Sequence, residues 1–324
     1  MKVLISGGAG YIGSTVANYL LDKNYKVTII DNLSKGYKFL LPKKATFIKT
    51  DISNKIKISK LLQKEKFDYL IHLAALSNVE ESVFNPKKYL INNFEKSKIF
   101  FDTCMKYGLN KIIFSSTAAV YKNSLNGFVS EKSTIQPLSP YGKSKFHFES
   151  YLKKQKKIKY IILRYFNVAG CDYKFRSGPI HQKSLFKNLV RVLTGGDKTL
   201  KVHGTKYKTK DGSAVRDFIH VQDLARIHYS SGKYLMKHKK NIVLNCGYGK
   251  GTSVLDVIKV AKNNFSKKLN IEFVEKRKGD LPKVVAMNNL IKKKLKWKPK
   301  FNDLNLILEH SVKWEKKLKK IYAK

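Results

Sequence analysis

A tyrosine and a lysine that stand four residues apart, in the segment SPYGKSK, could together carry out acid–base chemistry. Ser139 and Pro140 are typical of an N-cap and a first helical residue, so Tyr141 and Lys145 are expected one turn apart on one helix face. The ordinary pKa of a phenol is near 10, and lowering it by about three units takes roughly 4 kcal/mol of interaction. A neighbouring ammonium group and a positively charged ring both favour the phenolate. The pair is therefore a candidate general base and its activator.

A Tyr/Lys pair at this spacing is not specific by itself, because such pairs also occur on ordinary solvated helix faces. The segment FSST supports the catalytic interpretation. Its residues, Phe114 to Thr117, are expected to end a strand at the carboxyl edge of a parallel sheet, where sheets of this class bind their ligands. Thr117 would place a hydroxyl group at that edge. We therefore predict a catalytic set of Thr117, Tyr141 and Lys145.

Glycines follow the first predicted strand, in the segment GGAGYIG. Gly8, Gly10 and Gly13 fit the pattern GxGxxG, and a GxxGxxG pattern starts at Gly7. Without Cβ atoms, such a turn can bring its backbone close to a pyrophosphate at the N-terminus of the next helix, where free amides and the helix dipole favour an anion. The second predicted strand ends at Asp31, 18 residues after Gly13, near the spacing expected for a carboxylate on the adenosine ribose. This arrangement predicts an NAD site, since a 2′-phosphate would face the negative charge of Asp31.

The elements that must position these residues are short β-branched runs that alternate with longer helical stretches over the first 165 residues. The runs are KVLIS, KVTIID, ATFIKTD, DYLIHLAA, KIIFSS and KYIILRYF. The helical stretches include Tyr11 to Lys23, Asn85 to Tyr107 and Pro140 to Lys156, each long enough for a right-handed crossover. The alternation predicts an α/β fold built on a Rossmann-type, doubly wound parallel sheet.

The pattern changes at about Gly170, after which turn signals separate short elements. We predict an NAD-binding Rossmann domain over residues 1–169 and a smaller α/β substrate-binding domain over residues 170–324. The segments Val215 to Ala225 and Asn241 to Gly247 read as a return of the chain, over about 215–247, to the first domain.

Composition restricts the class of protein. With 324 residues, 43% of them hydrophobic, the chain can bury a sizeable core, and it has no apolar stretch of the roughly 18 to 20 residues that a membrane span needs. Three widely spaced cysteines encode neither a disulfide framework nor a metal site, which favours a soluble protein of the cytoplasm with no membrane contact and no metal.

The net charge of +43 would suit a polyanionic partner, but only six of the 66 basic residues are arginines. Because specific nucleic-acid sites favour arginine and concentrate their charge, we expect weak, salt-sensitive RNA binding and no specific nucleic-acid partner.

The chain resembles the UDP-glucose 4-epimerases of the extended short-chain dehydrogenase/reductase family over essentially its whole length. The matching segments are MKVLISGGAGYIG, FSSTAAVY, SPYGKSK, LRYFNVAG, VRDFIHVQDLA, LNCGYGKGTSVLDVI and RKGDLP. The resemblance implies a tightly held NAD, a UDP-sugar in the cleft and inversion of a sugar carbon through a transient 4-keto sugar. It also implies a homodimer formed through the helices near Asn85 to Tyr107 and Pro140 to Lys156.

The resemblance also implies a role for each matching residue. Tyr141 would take the proton of the sugar 4-hydroxyl, Lys145 would lower the pKa of Tyr141 and bind the nicotinamide ribose, and Thr117 would bridge the 4-hydroxyl to Tyr141. Positions that match cofactor contacts, besides Gly13 of the glycine motif, Tyr141 and Lys145, are Gly7, Gly10, Tyr11, Ile12, Asp31, Asn32, Asp51, Ile52 and Asn92. Positions that match substrate contacts, besides Thr117, are Asn167, Arg216, Arg277 and Asp280, with the arginines on the diphosphate and Asp280 on the uridine ribose.

The sequence departs from the family pattern at a few positions. Ser77 stands where many of these enzymes have Lys, Glu80 replaces a usual Gly, and Lys122 also replaces a Gly. Val284 matches the position whose bulk limits the sugar pocket, and our hypothesis is that it leaves room for an N-acetylhexosamine, so that UDP-GlcNAc and UDP-GalNAc join UDP-glucose and UDP-galactose as candidate substrates.

Other functions stay open at this point. A nucleotide-sugar dehydratase or decarboxylase on the same scaffold needs carboxylates just after the Ser/Thr, where this chain has Ala118 and Ala119. Epimerases of UDP-glucuronate or UDP-pentoses remain alternatives, as does an RNA-binding protein that holds NAD structurally. His72 and His220 are interpreted as hydrogen-bonded core or domain-junction residues rather than ligands.

Overall fold

The computed structural model describes residues 1–122, 124, 126–265, 269–277 and 280–323. The strands in these ranges are β1 (Lys2–Ser6), β2 (Lys26–Asp31), β3 (Thr46–Lys49), β4 (Tyr69–His72), β5 (Lys111–Thr117), β6 (Phe128–Val129), β7 (Lys159–Tyr165), β8 (Asn167–Ala169), β9 (Leu200–His203), β10 (Val215–His220), β11 (Ile242–Cys246), β12 (Gly251–Ser253), β13 (Ile271–Val274) and β14 (Lys283–Ala286). The α-helices are α1 (Tyr11–Asp22), α2 (Lys55–Lys64), α3 (Val79–Phe84), α4 (Pro86–Leu90), α5 (Lys96–Lys106), α6 (Pro140–Lys154), α7 (Leu185–Leu193), α8 (Val221–Lys237), α9 (Val254–Asn264), α10 (Asn289–Leu295) and α11 (Leu304–Tyr322).

The large sheet is parallel throughout, with the strand order β11-β7-β5-β4-β1-β2-β3. Its strands are almost continuously apolar because helices cover both faces. Side chains of α1, α8 and α10 pack on one face, and side chains of α2, α5 and α6 pack on the other. The predicted Rossmann-type, doubly wound α/β fold is confirmed.

The helices that carry candidate site residues begin and end close to where the sequence predicts. The Ser139 side chain caps α6 by accepting a hydrogen bond from the Gly142 amide at 3.0 Å. The stretch predicted as one helix from Asn85 to Tyr107 is α4 and α5 joined by a π-helical turn, Ile91–Glu95. Such turns recur at functional sites, and this one contains Asn92.

The rest of the chain forms a smaller sheet with the order β12-β10-β14-β6, in which β8 also pairs with β10, and a separate two-stranded pair, β13-β9. The stretch over about 215–247, which the sequence predicts to return to the first domain, divides between the two sheets. Its first strand, β10, pairs within the smaller sheet, whereas α8 packs on α1 and β11 pairs with β7 in the large sheet. The division at residues 169 and 170 stays a prediction.

Candidate active site

A cavity of about 1700 Å³ opens at the carboxyl edge of the large sheet, facing the elements of the smaller sheet. It is lined by all the predicted site residues, which are Gly7, Gly10, Tyr11, Ile12, Gly13, Asp31, Asn32, Asp51, Ile52, Asn92, Thr117, Tyr141, Lys145, Asn167, Arg216, Arg277, Asp280 and Val284. The fold therefore brings together residues that are up to 277 positions apart in the chain. Their individual roles stay predictions.

The glycine turn between β1 and α1 is too tight for side chains. Gly7 has a φ of +78°, and a Cβ there would lie 2.5 Å from the Ala74 amide nitrogen. A Cβ on Gly13 would lie 2.1 Å from the carbonyl oxygen of Gly7. Gly10 precedes α1 as its N-cap and no side chain caps this helix, so the first amides of α1 are left for an anion at the cavity. The turn fits the pyrophosphate of a dinucleotide.

Asp31 lies at the end of β2 beside this turn. Its carboxylate accepts hydrogen bonds from the amides of Ala9, at 3.0 Å, and Leu33, at 2.8 Å. Burial raises the pKa of Asp31, and these two hydrogen bonds oppose the rise. The carboxylate is thus fixed at the cavity wall in the place where an adenosine ribose would be held.

Asp51 also lines the cavity, next to the strand end that carries Asp31. It is bonded to the Lys96 ammonium at 2.8 Å and accepts a hydrogen bond from the Asn32 side chain at 2.9 Å. Burial alone would raise the pKa of Asp51, but the hydrogen bonds from Lys96, Ser53 and Asn32 hold it well below its usual range. Asp51 and Asn32 therefore form one ordered polar wall.

Tyr141, in the first turn of α6, is hydrogen-bonded to Thr117 at the end of β5. The ring of Tyr89 stands edge-on to the Tyr141 ring at 6.4 Å. Burial raises the pKa of Tyr141, and the hydrogen bond with Thr117 partly opposes this rise. The phenol and the hydroxyl face the cavity together, as the sequence predicts, but in the protein by itself the phenol is the favoured form.

Lys145 lies one turn further along α6 and is buried beneath the cavity floor. Its ammonium group donates a hydrogen bond to the Ser115 carbonyl at 2.7 Å and stands 4.9 Å from the centre of the Phe114 ring. Burial lowers the pKa of Lys145 to about 7, and the nearby Glu149 carboxylate opposes this change. The charge of Lys145 is therefore sensitive to its surroundings near neutral pH.

The other half of the cavity is basic. Arg216, on β10, pairs with Asp280 at 2.5 Å, and the amide of Asp280 donates a hydrogen bond to the Arg277 carbonyl at 3.1 Å. The Tyr207 hydroxyl donates to the other oxygen of Asp280 at 3.3 Å. Two guanidinium groups on the wall of one pocket suit a diphosphate, because each can bind phosphate oxygens through a planar fork.

Val284 and two alanines line the wall between the two halves. Val284 lies opposite Arg216 in the pairing of β10 with β14 and packs in a cluster that includes Phe166. Ala118 and Ala119 follow Thr117 directly at the cavity. The positions where a dehydratase would carry acidic groups therefore offer only methyl groups and backbone.

Glu80, which departs from the family pattern, forms an ion pair across the cleft. Glu80 of α3 and Lys183, in the segment before α7, form an ion pair at 3.7 Å. Both side chains are more than half exposed, so the pair adds little stability. Ser77 lies on the same rim.

Sequence reasoning missed residues whose partners are distant in the chain. Ser115 holds Lys145 through its carbonyl group, and its position two residues before Thr117 in FSST could have identified it. Asn93 is buried next to Asn92, where its side chain accepts a hydrogen bond from the Leu76 amide and donates to the Ser144 hydroxyl. It ties the cavity rim to α6, and no local pattern indicates this role.

The two histidines have the core roles that the sequence predicts. His72 is hydrogen-bonded to Ser6 at 2.6 Å and to Ser97 at 2.8 Å. His220 is hydrogen-bonded to His310 at 3.0 Å. Within the described ranges, no group of three or more His, Cys, Asp or Glu side chains could hold a metal ion, and no helix is both long and apolar enough to cross a membrane.

Comparisons with known proteins give a consistent result. Residues 3–247 match the model of the NAD dependent epimerase/dehydratase family. The chain is 35% identical to the UDP-glucose 4-epimerase of Azospirillum brasilense over 308 residues, which cover 94% of this chain and 88% of that protein.

Solved structures agree along the full length. A UDP-glucose-4-epimerase of Stenotrophomonas maltophila, with bound NAD and formylated UDP-arabinopyranose, has a TM-score of 0.95 and 30% identity, covering 99% of each chain. The UDP-Glc/GlcNAc 4-epimerase of Campylobacter jejuni has a TM-score of 0.85 and 38% identity, covering 98% of this chain and 99% of that one. The family model and these full-length similarities establish that the chain belongs to the NAD dependent epimerase/dehydratase family.

Proposed function

We propose that the protein catalyses the NAD-dependent 4-epimerisation of a UDP-hexose, interconverting UDP-glucose and UDP-galactose. The observation that carries this proposal is the convergence of three groups of residues on one cavity: the glycine turn with Asp31, the Thr117–Tyr141 pair, and the two arginines. A cofactor, a proton carrier and a diphosphate clamp are what this reaction requires. The relatives that share the fold over the full chain carry the same activity in their names.

The residues of the cavity have different roles in the proposed reaction. Tyr141 removes the proton of the sugar 4-hydroxyl and later returns it, and Thr117 holds the hydroxyl in line with the phenol. Bound NAD would supply a reversible hydride acceptor for carbon 4 of the sugar, and the glycine turn and Asp31 would hold it at the cavity. Arg216 and Arg277 hold the diphosphate while the sugar stays free to rotate. The 4-keto sugar can then present its opposite face, and its configuration inverts.

The positive charge needed to ionise Tyr141 comes from two sources. Burial raises the pKa of Tyr141 in the protein alone, so the Lys145 ammonium has to act together with the charge of an oxidised nicotinamide. This couples proton removal to the presence of the cofactor. We assign the cofactor contacts to Gly7, Gly10, Tyr11, Ile12, Gly13, Asp31, Asn32, Asp51, Ile52, Asn92, Tyr141 and Lys145, and the substrate contacts to Thr117, Asn167, Arg216, Arg277, Asp280 and Val284.

The finer parts of the proposal concern the cellular setting. The interconversion places the protein in galactose metabolism, and three buried free cysteines suit the reducing cytoplasm. A homodimer would form through the face of α4, α5 and α6, where the side chains of Leu90 and Ile91 are each 36% exposed. We further propose the domain division at residues 169 and 170, with the nucleotide-sugar held mainly by the second part.

Product analysis tests the function. Purified protein is incubated with UDP-galactose, UDP-GlcNAc and UDP-glucuronate in separate reactions, and the products are separated by chromatography. Formation of UDP-glucose from UDP-galactose, with no net NADH, is the expected result. Conversion of UDP-glucuronate alone, or release of a dehydrated sugar, would overturn the proposal in favour of the corresponding enzyme.

A further inference from the structure

A buried carboxylate on the catalytic helix, Glu149, does not itself line the cavity. Glu149 follows Lys145 by four residues on α6, so Tyr141, Lys145 and Glu149 share one helix face. Glu149 is fully buried and accepts hydrogen bonds from the Arg164 side chain, at 2.9 Å from Nε and 2.6 Å from Nη2. It also accepts a hydrogen bond from the Ser116 hydroxyl at 2.5 Å.

The bonds extend from this carboxylate across three strands. Arg164, on β7, donates from Nη1 to the Tyr121 hydroxyl at 2.9 Å, and Tyr121 donates to Asn245 of β11 at 2.6 Å. Burying such an ion pair carries a desolvation cost that well-packed apolar side chains would avoid. Stability alone therefore does not account for a charged pair behind the cavity.

Ser116 gives the network its connection to the site. It lies between Ser115, whose carbonyl group accepts from the Lys145 ammonium, and Thr117, which is hydrogen-bonded to Tyr141. Fixing Ser116 to α6 through Glu149 fixes both neighbours against the same helix. The distances within the catalytic set thus depend on a side chain that does not face the cavity.

Glu149 also influences the charge of Lys145. The groups that interact with Lys145 are Glu149 on α6, Ser115 and Phe114 on β5, and His72 on β4. Burial holds the pKa of His72 at about 3, so this residue is neutral and does not repel the ammonium group at pH 7. Arg164 is a cation, and Lys153 lies 3.5 Å from Glu149 on the solvent side. Glu149 is the counter-charge that opposes the effect of burial on Lys145.

We propose that Glu149 is a positioning residue for the epimerisation, which keeps Lys145 cationic and holds Ser116, and with it Thr117 and Tyr141, in working geometry. This inference rests on the proposed function. It predicts two separable effects, one of charge and one of position.

The test compares three variants with the wild-type holoenzyme over a range of pH. Activity should fall as pH rises through the pKa of Lys145, because the neutral amine no longer favours the phenolate. In Glu149→Gln this alkaline limb should move to lower pH by about one unit, with kcat at pH 7 reduced roughly tenfold or more and KM changed by less than about threefold. Glu149→Asp keeps the charge but shortens the reach to Ser116, so kcat should fall while the limb stays in place.

Ser116→Ala and a surface variant serve as controls for folding. Ser116→Ala removes one hydrogen bond and leaves the ion pair intact, so it should fold and show a reduced kcat with an unmoved alkaline limb. Glu309→Gln removes an exposed carboxylate and should match the wild type in every respect. Should Glu149→Gln fail to fold, Glu149→Asp and Ser116→Ala decide the positional part, and wild-type kcat in both would overturn the proposal. An alkaline limb that stays in place in a folded Glu149→Gln would also overturn the proposal. A fall in kcat that is matched by an equal loss of bound NAD would overturn it as well.

A titration that does not depend on turnover separates this proposal from the function. Tyrosinate absorbance is followed with pH in the NAD-bound wild type and NAD-bound Glu149→Gln, each with Tyr141→Phe as its reference, because without the cofactor Lys145 would be neutral before Tyr141 ionises. Ionisation of Tyr141 should require higher pH in Glu149→Gln. An unchanged titration would count against Glu149, whereas a shifted titration in a wild type that epimerises no UDP-sugar would count against the proposed function alone.

Discussion

Tyr141 lies in surroundings that by themselves favour its neutral form. The phenol is buried, and the hydrogen bond with Thr117 compensates only partly for that burial. In our proposal Tyr141 is the general base, and because it would ionise only beside a cation, it would remove a proton only when the cationic hydride acceptor is present. This arrangement guards against proton transfer without oxidation.

Replacing Tyr141 by Phe tests this assignment at the level of one oxygen atom. The ring and its edge-on contact with Tyr89 remain, so the fold, the bound NAD and the affinity for UDP-sugar should be retained. Turnover should fall by at least about a thousandfold, because general base catalysis is lost. Steady-state kinetics and the NAD content of the purified variant provide the measurement, and near-normal activity would mean that another group is the base.

Val284 sets the width of the sugar pocket in our proposal. Val284→Tyr should reduce turnover of UDP-GlcNAc by about tenfold or more, while UDP-glucose is affected less than about threefold, because the added ring takes the volume of the acetyl group. The two sugars are assayed side by side, with Val284→Ala as the variant that keeps the space open. If the wild type turns over UDP-glucose but not UDP-GlcNAc, the hypothesis for Val284 is wrong.

Residues could be predicted from the sequence where their chemistry depends on local spacing. Tyr141 and Lys145 are one helical turn apart, and Gly7 to Gly13 form one turn, so the printed order already places them together. Glu149 and Arg164 could not be identified in this way, because the role of each depends on an ion pair with a residue on another element. Tertiary packing, rather than propensity, makes that pair.

The turn between β1 and α1 permits a test at the level of an element. A methyl group on Gly13 would meet the carbonyl oxygen of Gly7 at 2.1 Å, so Gly13→Ala has to move the start of α1. A methyl group on Gly10 would meet that same oxygen at 3.4 Å, which the protein can accommodate. We expect Gly13→Ala to lower the melting temperature and lose NAD.

Gly10→Ala is the matched control for this prediction. It should keep the wild-type melting temperature in the absence of cofactor and still bind NAD more weakly, since its methyl group would stand where backbone approaches phosphate. Thermal unfolding followed with and without added NAD distinguishes the two variants. Equal melting temperatures for Gly13→Ala and wild type would show that the turn is looser than its geometry indicates.

The large sheet could be predicted from sequence because its strands, apart from the partly exposed edge strand β3, are mostly buried and read as apolar runs. The smaller sheet gives a weaker signal. Its strands β6, β8 and β12 have two or three residues each, and they are strands only because β10 and β14 pair with them. The path of the chain between the two sheets therefore follows from long-range pairing and not from local pattern.

Charge is a property of the whole molecule, and it is not confined to the cavity. Lys111, Lys156, Lys157, Lys159 and Lys239 surround a depression at the amino edge of the large sheet, opposite the active-site edge. Lys111 and Lys159 are direct partners in the pairing of β5 with β7. A surface of this kind attracts polyanions without reading their sequence.

We expect RNA binding to be weak and to disappear as salt is raised from about 50 to 200 mM, because it depends on release of counterions from phosphates. Epimerase turnover measured in the same samples should be unchanged when the RNA is released. A filter-binding titration run beside a coupled assay provides both readings. Binding that survives at high salt, or that inhibits turnover, would indicate a specific RNA site.

The position of β11 affects how the protein must fold as it is synthesised. β11 pairs with β7, yet its residues follow β7 only after a long excursion through the smaller sheet. Until residue 246 has left the ribosome, β7 is an open edge whose backbone groups can pair with the wrong strand. At about 5 to 20 residues per second, residues 166–241 take roughly 4 to 15 s to synthesise. A nascent chain exposed for that long is a natural client for chaperones, and slower translation over this stretch should lower the soluble yield.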